Sequence, residues 1–325
     1  MIRIDRCWNG NAASPLMHQP ALRYFLEVAR TGSISAAAVR LRVAASAISR
    51  QVAKLEEEYE TPLFERRSRG MVLTHAGRLL ASYAQRASLE SDQIQKEIRE
   101  LKSATRGLIR LGVTEGLAVS FVPEMIYAFR KERPHVLFDI KVVGPANVVT
   151  CVQEGQVDVG ITFSLSPESG VRIQWQRAMP AFALANTDHP LIGRGRVSIA
   201  ELFEYPIAIL DDAATIRRVL DIYCATKGIS LEPVVSSTNI ASLFTLCQLG
   251  GAITFSTYIS ARRAVRDGHL AIVPFEEASF LERNMQIQTM LGRTLPQTTL
   301  DFISFLTAEL ETPGATHPLA AGDVN

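Results

Sequence analysis

The chain is poor in cysteine, in net charge and in long apolar runs, and each shortage excludes something. Four cysteines, Cys7, Cys151, Cys224 and Cys247, stand among 325 residues, with no CxxC pair and no Cys/His spacing of a zinc site. That argues against a disulfide framework and against any metal site, and the thiols read as reduced and cytosolic. No apolar stretch approaches the roughly 20 residues that span a bilayer, and residues 1–20 lack the apolar centre of a signal peptide. A cytoplasmic protein with no membrane partner is expected. Lys and Arg (34) nearly cancel Asp and Glu (33), leaving a net charge of +1. Bulk charge therefore says nothing for a polyanionic partner, and only local clusters can. Also missing are a GxSxG elbow, a P-loop, an HExxH helix and a GxGxxG followed by an acidic partner. With His135, His189 and His269 in expected turns, no cofactor is anticipated and a cleft enzyme is the remote reading.

What is present is a globular composition, 47% hydrophobic and 21% charged, in a chain too long for one typical core. Residues 21–77 carry the most information. Leu22, Phe25, Leu26 and Ala29 form an apolar stripe that stops at Thr31-Gly32. Ser33 is placed to cap a short Ala-rich helix running through Leu41, and Arg42-Val43 leaves room for a tight turn only. On the third helix Ile48, Val52, Leu55 and Tyr59 fall on one side, while Ser46, Ser49, Arg50 and Ala53 fall on the other. After Pro62, Leu63 to Arg67 leads through Ser68-Arg69-Gly70 into Met71-Val72-Leu73, two short strands around a Gly-containing turn. The pattern predicts a winged helix-turn-helix. Short side chains allow a helix close approach to the DNA major groove, and an arginine there bonds guanine O6 and N7 bidentately. A solvated surface has the same composition, so Arg50 alone decides nothing; the caps, turns and wing around it do.

Several segments together, Ser33-Ile34-Ser35-Ala36-Ala37-Ala38, Ala47-Ile48-Ser49-Arg50-Gln51, Leu55-Glu56-Glu57-Glu58, Pro62-Leu63-Phe64-Glu65-Arg66 and Leu73-Thr74-His75-Ala76-Gly77, resemble the LysR-type transcriptional regulators. The resemblance implies that Ser46, Ser49 and Arg50 face bases of double-stranded DNA, that Gln51 and Lys54 lie near phosphates, and that Arg69 enters the minor groove. Ser33, Ala45 and Arg67 complete the expected DNA-binding set. Ala45 stands where many members carry Gln or Pro. It can meet a thymine methyl but cannot hydrogen-bond adenine, which alters the preferred operator.

From Ala76 to about Ala104 a long helix is expected, begun by Thr74 as its cap. Leu80, Ala87, Ile94 and Leu101 are seven apart, with Ala84, Ser91 and Ile98 at the offsets, the spacing of a coiled-coil seam. Two copies on a dyad operator would add their few base contacts, so self-association as dimer or tetramer is expected. The alternative is a helix packed on its own domain.

Beyond Gly107 strands and helices alternate, predicting a parallel α/β layout. The fold class is α/β overall: a winged helix-turn-helix (20–75), a linker helix (76–106) and a two-lobed effector-binding domain (107–311) resembling type 2 periplasmic binding proteins. Lobe 1 is expected at 107–167 and 280–311, and lobe 2 at 168–279. Cleft ligands bind where strands end and helices begin, which nominates Thr114, Glu115, Gly116, Ala146 and Thr162 on one side. Asp212, Thr215, Thr238 and Phe255 face them from the other. Any of these also serves as an ordinary cap or turn residue. Glu115 and the pair Asp211-Asp212 would repel an anion, so an effector that is neutral or carries an amine is expected rather than a simple carboxylic acid.

The resemblance implies a regulator whose small-molecule effector rearranges its dimers, bends DNA and alters contact with RNA polymerase. A second reading is a redox-sensing regulator using Cys224 and Cys247, although their apolar neighbours suggest inert thiols. Residues 1–19 read as a disordered extension, with Met17 an alternative start of translation, and residues 312–325 as a disordered tail.

Overall fold

The computed structural model describes residues 20–67, 70–100, 107–165, 168–277, 282–312 and 314. They form two compact units that divide after Thr105. The expected extension at 1–19, Arg69 of the wing, Leu101 of the expected seam and most of the expected tail lie outside the described residues, as does the side chain of Ile98.

In the first unit, helices α1 (Pro20–Thr31), α2 (Ile34–Leu41) and α3 (Ala45–Glu58) are followed by a hairpin of β1 (Phe64–Arg67) and β2 (Gly70–Leu73), and then by α4 (His75–Glu100). Phe25, Val28, Ala37, Ile48, Val52, Leu55 and Leu63 bury their side chains together. The Ser33 hydroxyl accepts the Ala36 N–H at 3.3 Å and so starts α2. Arg42 closes that helix at φ 56°, a left-handed conformation that costs a non-glycine residue roughly 1 kcal/mol. Glu56 ties α3 to the wing, its Oε1 accepting the Leu63 and Phe64 amides at 2.8 and 3.2 Å. Thr74 accepts the Gly77 N–H at 3.0 Å and donates to the Pro62 carbonyl at 2.8 Å. A Cβ on Gly77 would stand 2.1 Å from the Leu63 carbonyl oxygen, so only glycine lets α4 approach the wing this closely.

Two expectations fail here. Tyr59 was expected in the core but is 49% exposed, because α3 ends at Glu58 and Tyr59 has already left the helical path. The expected seam on α4 begins inside its own head: Leu80 and Ala84 belong to the winged-helix core, whereas Leu79 and Tyr83 are 62% and 53% exposed. Ile94, also a seam residue, is exposed on the same helix.

The second unit opens with β3 (Leu108–Val113), α5 (Glu115–Val119), α6 (Phe121–Glu132), β4 (Leu137–Val142), α7 (Pro145–Gln153), β5 (Val159–Ser164) and β6 (Val171–Met179). It continues with β7 (Ala181–Ala185), α8 (Ile199–Leu202), β8 (Ala208–Leu210), α9 (Thr215–Lys227), β9 (Val235–Ser237) and α10 (Ile240–Gln248). Strand β10 (Thr254–Thr257), α11 (Tyr258–Arg266), β11 (Ala271–Val273), β12 (Arg283–Met290) and α12 (Gln297–Glu311) complete it.

Lobe 1 is a five-stranded sheet in the order β4-β3-β5-β12-β6. Strand β3 runs parallel to β4 and β5, while β12 is antiparallel to both β5 and β6. Strand β5 is buried throughout, as a run of apolar residues covered on both faces requires. Lobe 2 holds an antiparallel sheet β10-β7-β11 and a parallel pair β8-β9. The purely parallel layout expected from the alternation is thus corrected to mixed sheets, and β6, expected in lobe 2, belongs to lobe 1. The chain crosses between lobes at Pro180 and again ahead of β12. Helix α11 follows a strand of lobe 2, yet its Ile259 lies in the lobe 1 core and its Arg262 pairs with Glu124 of α6 at 2.6 Å.

Candidate functional site

Helix α3 presents two different faces. Ile48, Val52 and Leu55 are buried, while Ala45, Ser46, Arg50, Ala53 and Lys54 are exposed and Ser49 and Gln51 are half-buried. Arg50 Nε donates to the Ser46 carbonyl at 3.4 Å, a long bond within the helix surface. In the wing Arg67 pairs with Glu65 at 2.7 Å, and Arg66 is exposed. An ion pair open to solvent on both sides is worth little, so the pair holds Arg67 only weakly in place. Ser33, nominated for DNA, has its hydroxyl engaged as the α2 cap. The face thus carries two cations and small hydroxyl and methyl groups on a helix fixed from behind by its core.

Between the two lobes of the second unit lies a cavity of about 390 Å³. Thr114, Glu115, Gly116, Thr215, Thr238 and Phe255, all expected there, line it. Three expected residues do not. Thr162 is buried in β5 facing away from the cavity, because neighbouring strand residues point to opposite sides and Phe163 takes the cavity side. Ala146 is exposed on the first turn of α7, where Gly144 and Pro145 face the cavity instead, and Asp212 is exposed beside the lining residue Asp211.

Glu115 has a structural task. Its Oε1 accepts the Ile240 N–H at the start of α10 at 3.0 Å, joining lobe 1 to lobe 2. Burial raises its pKa, opposed by that hydrogen bond and reinforced by the Asp211 charge. Glu115 is thus held by a helix end and Asp212 lies outside the cavity, while Asp211 lines it.

Sequence reasoning missed Arg283, which also lines the cavity. It begins β12, is 6% exposed, donates from Nη1 to Thr215 Oγ1 at 3.1 Å and lies 4.6 Å from the centroid of the Phe163 ring. Burial alone pulls its pKa down, to about 9, which still leaves it charged at neutral pH. No motif marks it; its partners are distant in the chain.

Cys224 and Cys247 belong to separate apolar clusters, and burial raises both thiol pKa values, that of Cys247 to about 12. Thiols of this kind are poor nucleophiles. His189 likewise holds a turn: its Nδ1 accepts the Leu191 N–H at 3.3 Å, its ring stands edge-on to Tyr205, and burial lowers its pKa.

A winged helix-turn-helix head with a two-lobed α/β domain joins a DNA-binding architecture to one that encloses a ligand-sized cleft. Comparison with known proteins narrows this to a family. Residues 20–78 match the bacterial regulatory helix-turn-helix of the lysR family, and residues 102–311 match the LysR substrate binding domain. The chain is 30% identical to the transcriptional dual regulator GltC of Bacillus subtilis over 66% of its own length and 72% of the relative. It is 27% identical to the RuBisCO operon transcriptional regulator of Allochromatium vinosum over 67% and 72% of the two chains. A full-length OxyR variant from Pseudomonas aeruginosa has the same fold, with a TM-score of 0.60, 20% identity and coverage of 88% and 93%. The chain belongs to the LysR family of DNA-binding transcriptional regulators with an effector-binding domain.

Proposed function

We propose that Ser46, Ser49 and Arg50 read bases in the major groove, with Ala45 against a thymine methyl and Gln51, Lys54 and the wing cations on phosphates. The observation that carries this reading is the division of α3 into a buried apolar face and an exposed face bearing Ser46, Arg50 and Lys54. Arg50 exchanges its long intrahelical bond for guanine O6 and N7, and Arg69 extends the contact into the minor groove. Two heads are joined through α4 by the face that carries Leu79, Tyr83 and Ile94, since large apolar groups exposed along one helix favour a partner. A small molecule in the cleft then binds one arrangement of the lobes better than another and shifts the population of dimers competent for operator and RNA polymerase. The cleft binds its ligand without turning it over, and the protein acts in the cytoplasm; family membership supports both statements, and among the described residues no helix is long and apolar enough to cross a membrane.

Footprinting of genomic DNA selected by the full-length protein tests this reading. An interrupted dyad protected by the wild type and lost with Arg50→Ala is expected; equal specific protection by both proteins places base reading elsewhere.

A further inference from the structure

We propose that Glu56 is a positioning residue for DNA recognition. By tying the root of the wing to α3 it sets where Arg66 and Arg67 stand, so that the wing and the reading face of α3 meet one duplex together. The inference rests on the proposed placement of α3 on bases and of the wing cations on phosphates, and assigns the residue that links the two contacts.

The first observation is how completely one residue organises the turn after α3. Pro62 has no N–H, and Glu56 accepts every backbone N–H that residues 61–64 possess. Its carbonyl takes that of Thr61 at 3.1 Å, and its Oε1 takes those of Leu63 and Phe64 at 2.8 and 3.2 Å. In the run Glu56-Glu57-Glu58 the two later residues are exposed, whereas Glu56 is half-buried. A carboxylate that accepts amide protons makes charge-assisted bonds, stronger than those between neutral groups.

The second observation separates place from direction. Leu63 and Phe64 are buried in the core of the head, with the Phe64 ring centroid 5.1 Å from that of Phe25. Apolar burial has no preferred direction, so it keeps the root of the wing on the head without fixing the angle at which β1 leaves; hydrogen bonds, which weaken off axis, fix that angle. Strand β1 then carries the exposed Arg66 and Arg67 outward, and at about 3.3 Å per residue Arg67 stands on the order of 10 Å beyond Phe64. A change of angle at the root is therefore felt most at the cations.

The third observation is a matching anchor on the other strand of the hairpin. The Met71 N–H donates to the Gly32 carbonyl in the turn before α2 at 2.8 Å, and a Cβ on Gly70, at φ 121°, would stand 2.5 Å from that oxygen. With β1 held by α3 and β2 held by that turn, the wing has one position relative to the recognition helix. Contacts held in fixed register engage a duplex with a single loss of freedom, whereas a loose wing has to be ordered on arrival, which subtracts from its contribution.

Binding of the full-length protein to a duplex selected by the wild type tests the assignment. It is measured with and without the wing pair Arg66→Ala and Arg67→Ala, in the wild type, Glu56→Gln, Glu56→Ala and Gly70→Ala. The Gln and Ala variants of Glu56 remove the same charge, but only Gln keeps an oxygen for the amides of Leu63 and Phe64. In the wild type and in Glu56→Gln, removing the wing pair is expected to weaken binding about tenfold and to lower the salt slope by about 2 for each head. In Glu56→Ala and Gly70→Ala, each with a cooperative melt, the same removal should weaken binding by about threefold or less, while the Arg50-dependent preference for the selected over a scrambled duplex is kept. The proposal is overturned if the wing pair costs as much in Glu56→Ala and Gly70→Ala as in the wild type, if Glu56→Gln behaves as Glu56→Ala does, or if Glu56→Ala also loses the preference for the selected duplex. Should Glu56→Ala fail to fold, Gly70→Ala decides between the same outcomes. A wing pair whose removal costs nothing in the wild type, with Arg50→Ala still abolishing the preference, would show instead that the wing does not touch DNA and would overturn the placement on which the proposal rests.

Discussion

Single residues in this protein divide into those that hold the frame and those left available for a partner. Asp158 is of the first kind: buried beside β3, it accepts from Arg110 at 2.9, 3.1 and 3.2 Å and from the buried Arg293 at 2.7 Å. Burial disfavours its charged form, but the two guanidiniums and the Arg110 hydrogen bonds outweigh that and hold its pKa below the usual carboxylate value. Asp158→Asn leaves two cations without their counter-charge, so a loss of about 3–5 kcal/mol is expected in urea unfolding. A lowered pKa contributes stability above the unfolded value of 3.8 that fades as pH falls through the folded value, and the variant should lack this acid-side dependence. Cys247 works in the opposite direction. With its folded pKa raised to about 12, its contribution is intact below the unfolded value of 9.0 and is lost as pH climbs through the folded value. Neither Cys224 nor Cys247 should react with a thiol reagent in the native state. Rapid labelling, together with peroxide-sensitive DNA binding, would restore the redox reading.

These residues also mark the limit of what the sequence disclosed. Ser46, Ser49, Arg50 and Thr74 sit in a local pattern, and local patterns are readable because a helix repeats every few positions. Arg283 and Asp158 acquire their meaning from residues 68 and 135 positions away, which no local period connects.

At the scale of elements, caps and faces decide the outcome. Ser33→Ala removes the α2 cap and should cost about 1 kcal/mol, read as a lowered melting midpoint with DNA specificity retained. On α4 neighbouring residues have opposite fates. Tyr83→Glu should give a folded protein of half the native mass in ultracentrifugation, whereas Leu80→Glu, placing a charge in the head's core, should unfold the head. If Tyr83→Glu stays dimeric, the face that carries it is not the interface. The seam expected from heptads ran through Leu80 because spacing alone cannot tell a partner helix from the helix's own domain. Strand β6 was overlooked for a related reason. Its buried residues Val171, Trp175 and Met179 recur every four positions, a helical interval, while Ile173 faces outward and its pairing with β12 shifts register between Ile287 and Gln288. Helix α11 escaped because Arg262, Arg263 and Arg266 resemble a solvated loop, although Arg262 is buried against Glu124.

Across the whole molecule the two units bear different kinds of evidence. The head's motif is contiguous, and its caps Ser33 and Thr74 are local signals within it. The cleft is assembled from segments spread between Thr114 and Arg283, so strand-end rules reached six of the nine nominated residues and missed the cationic one. In the proposed function α3 reads base sequence and its neighbours supply affinity. The most direct test measures, at one fixed salt concentration, the binding of wild type, Arg50→Ala and Lys54→Ala to a duplex selected by the wild type and to a scrambled duplex of equal length. Arg50→Ala should collapse the ratio between the two, by about 1–3 kcal/mol for each head, while leaving scrambled binding nearly unchanged. Lys54→Ala should weaken both duplexes alike and reduce the salt slope by about 1 for each head. An Arg50→Ala protein that loses both affinities equally, or keeps the full ratio, would contradict the claim.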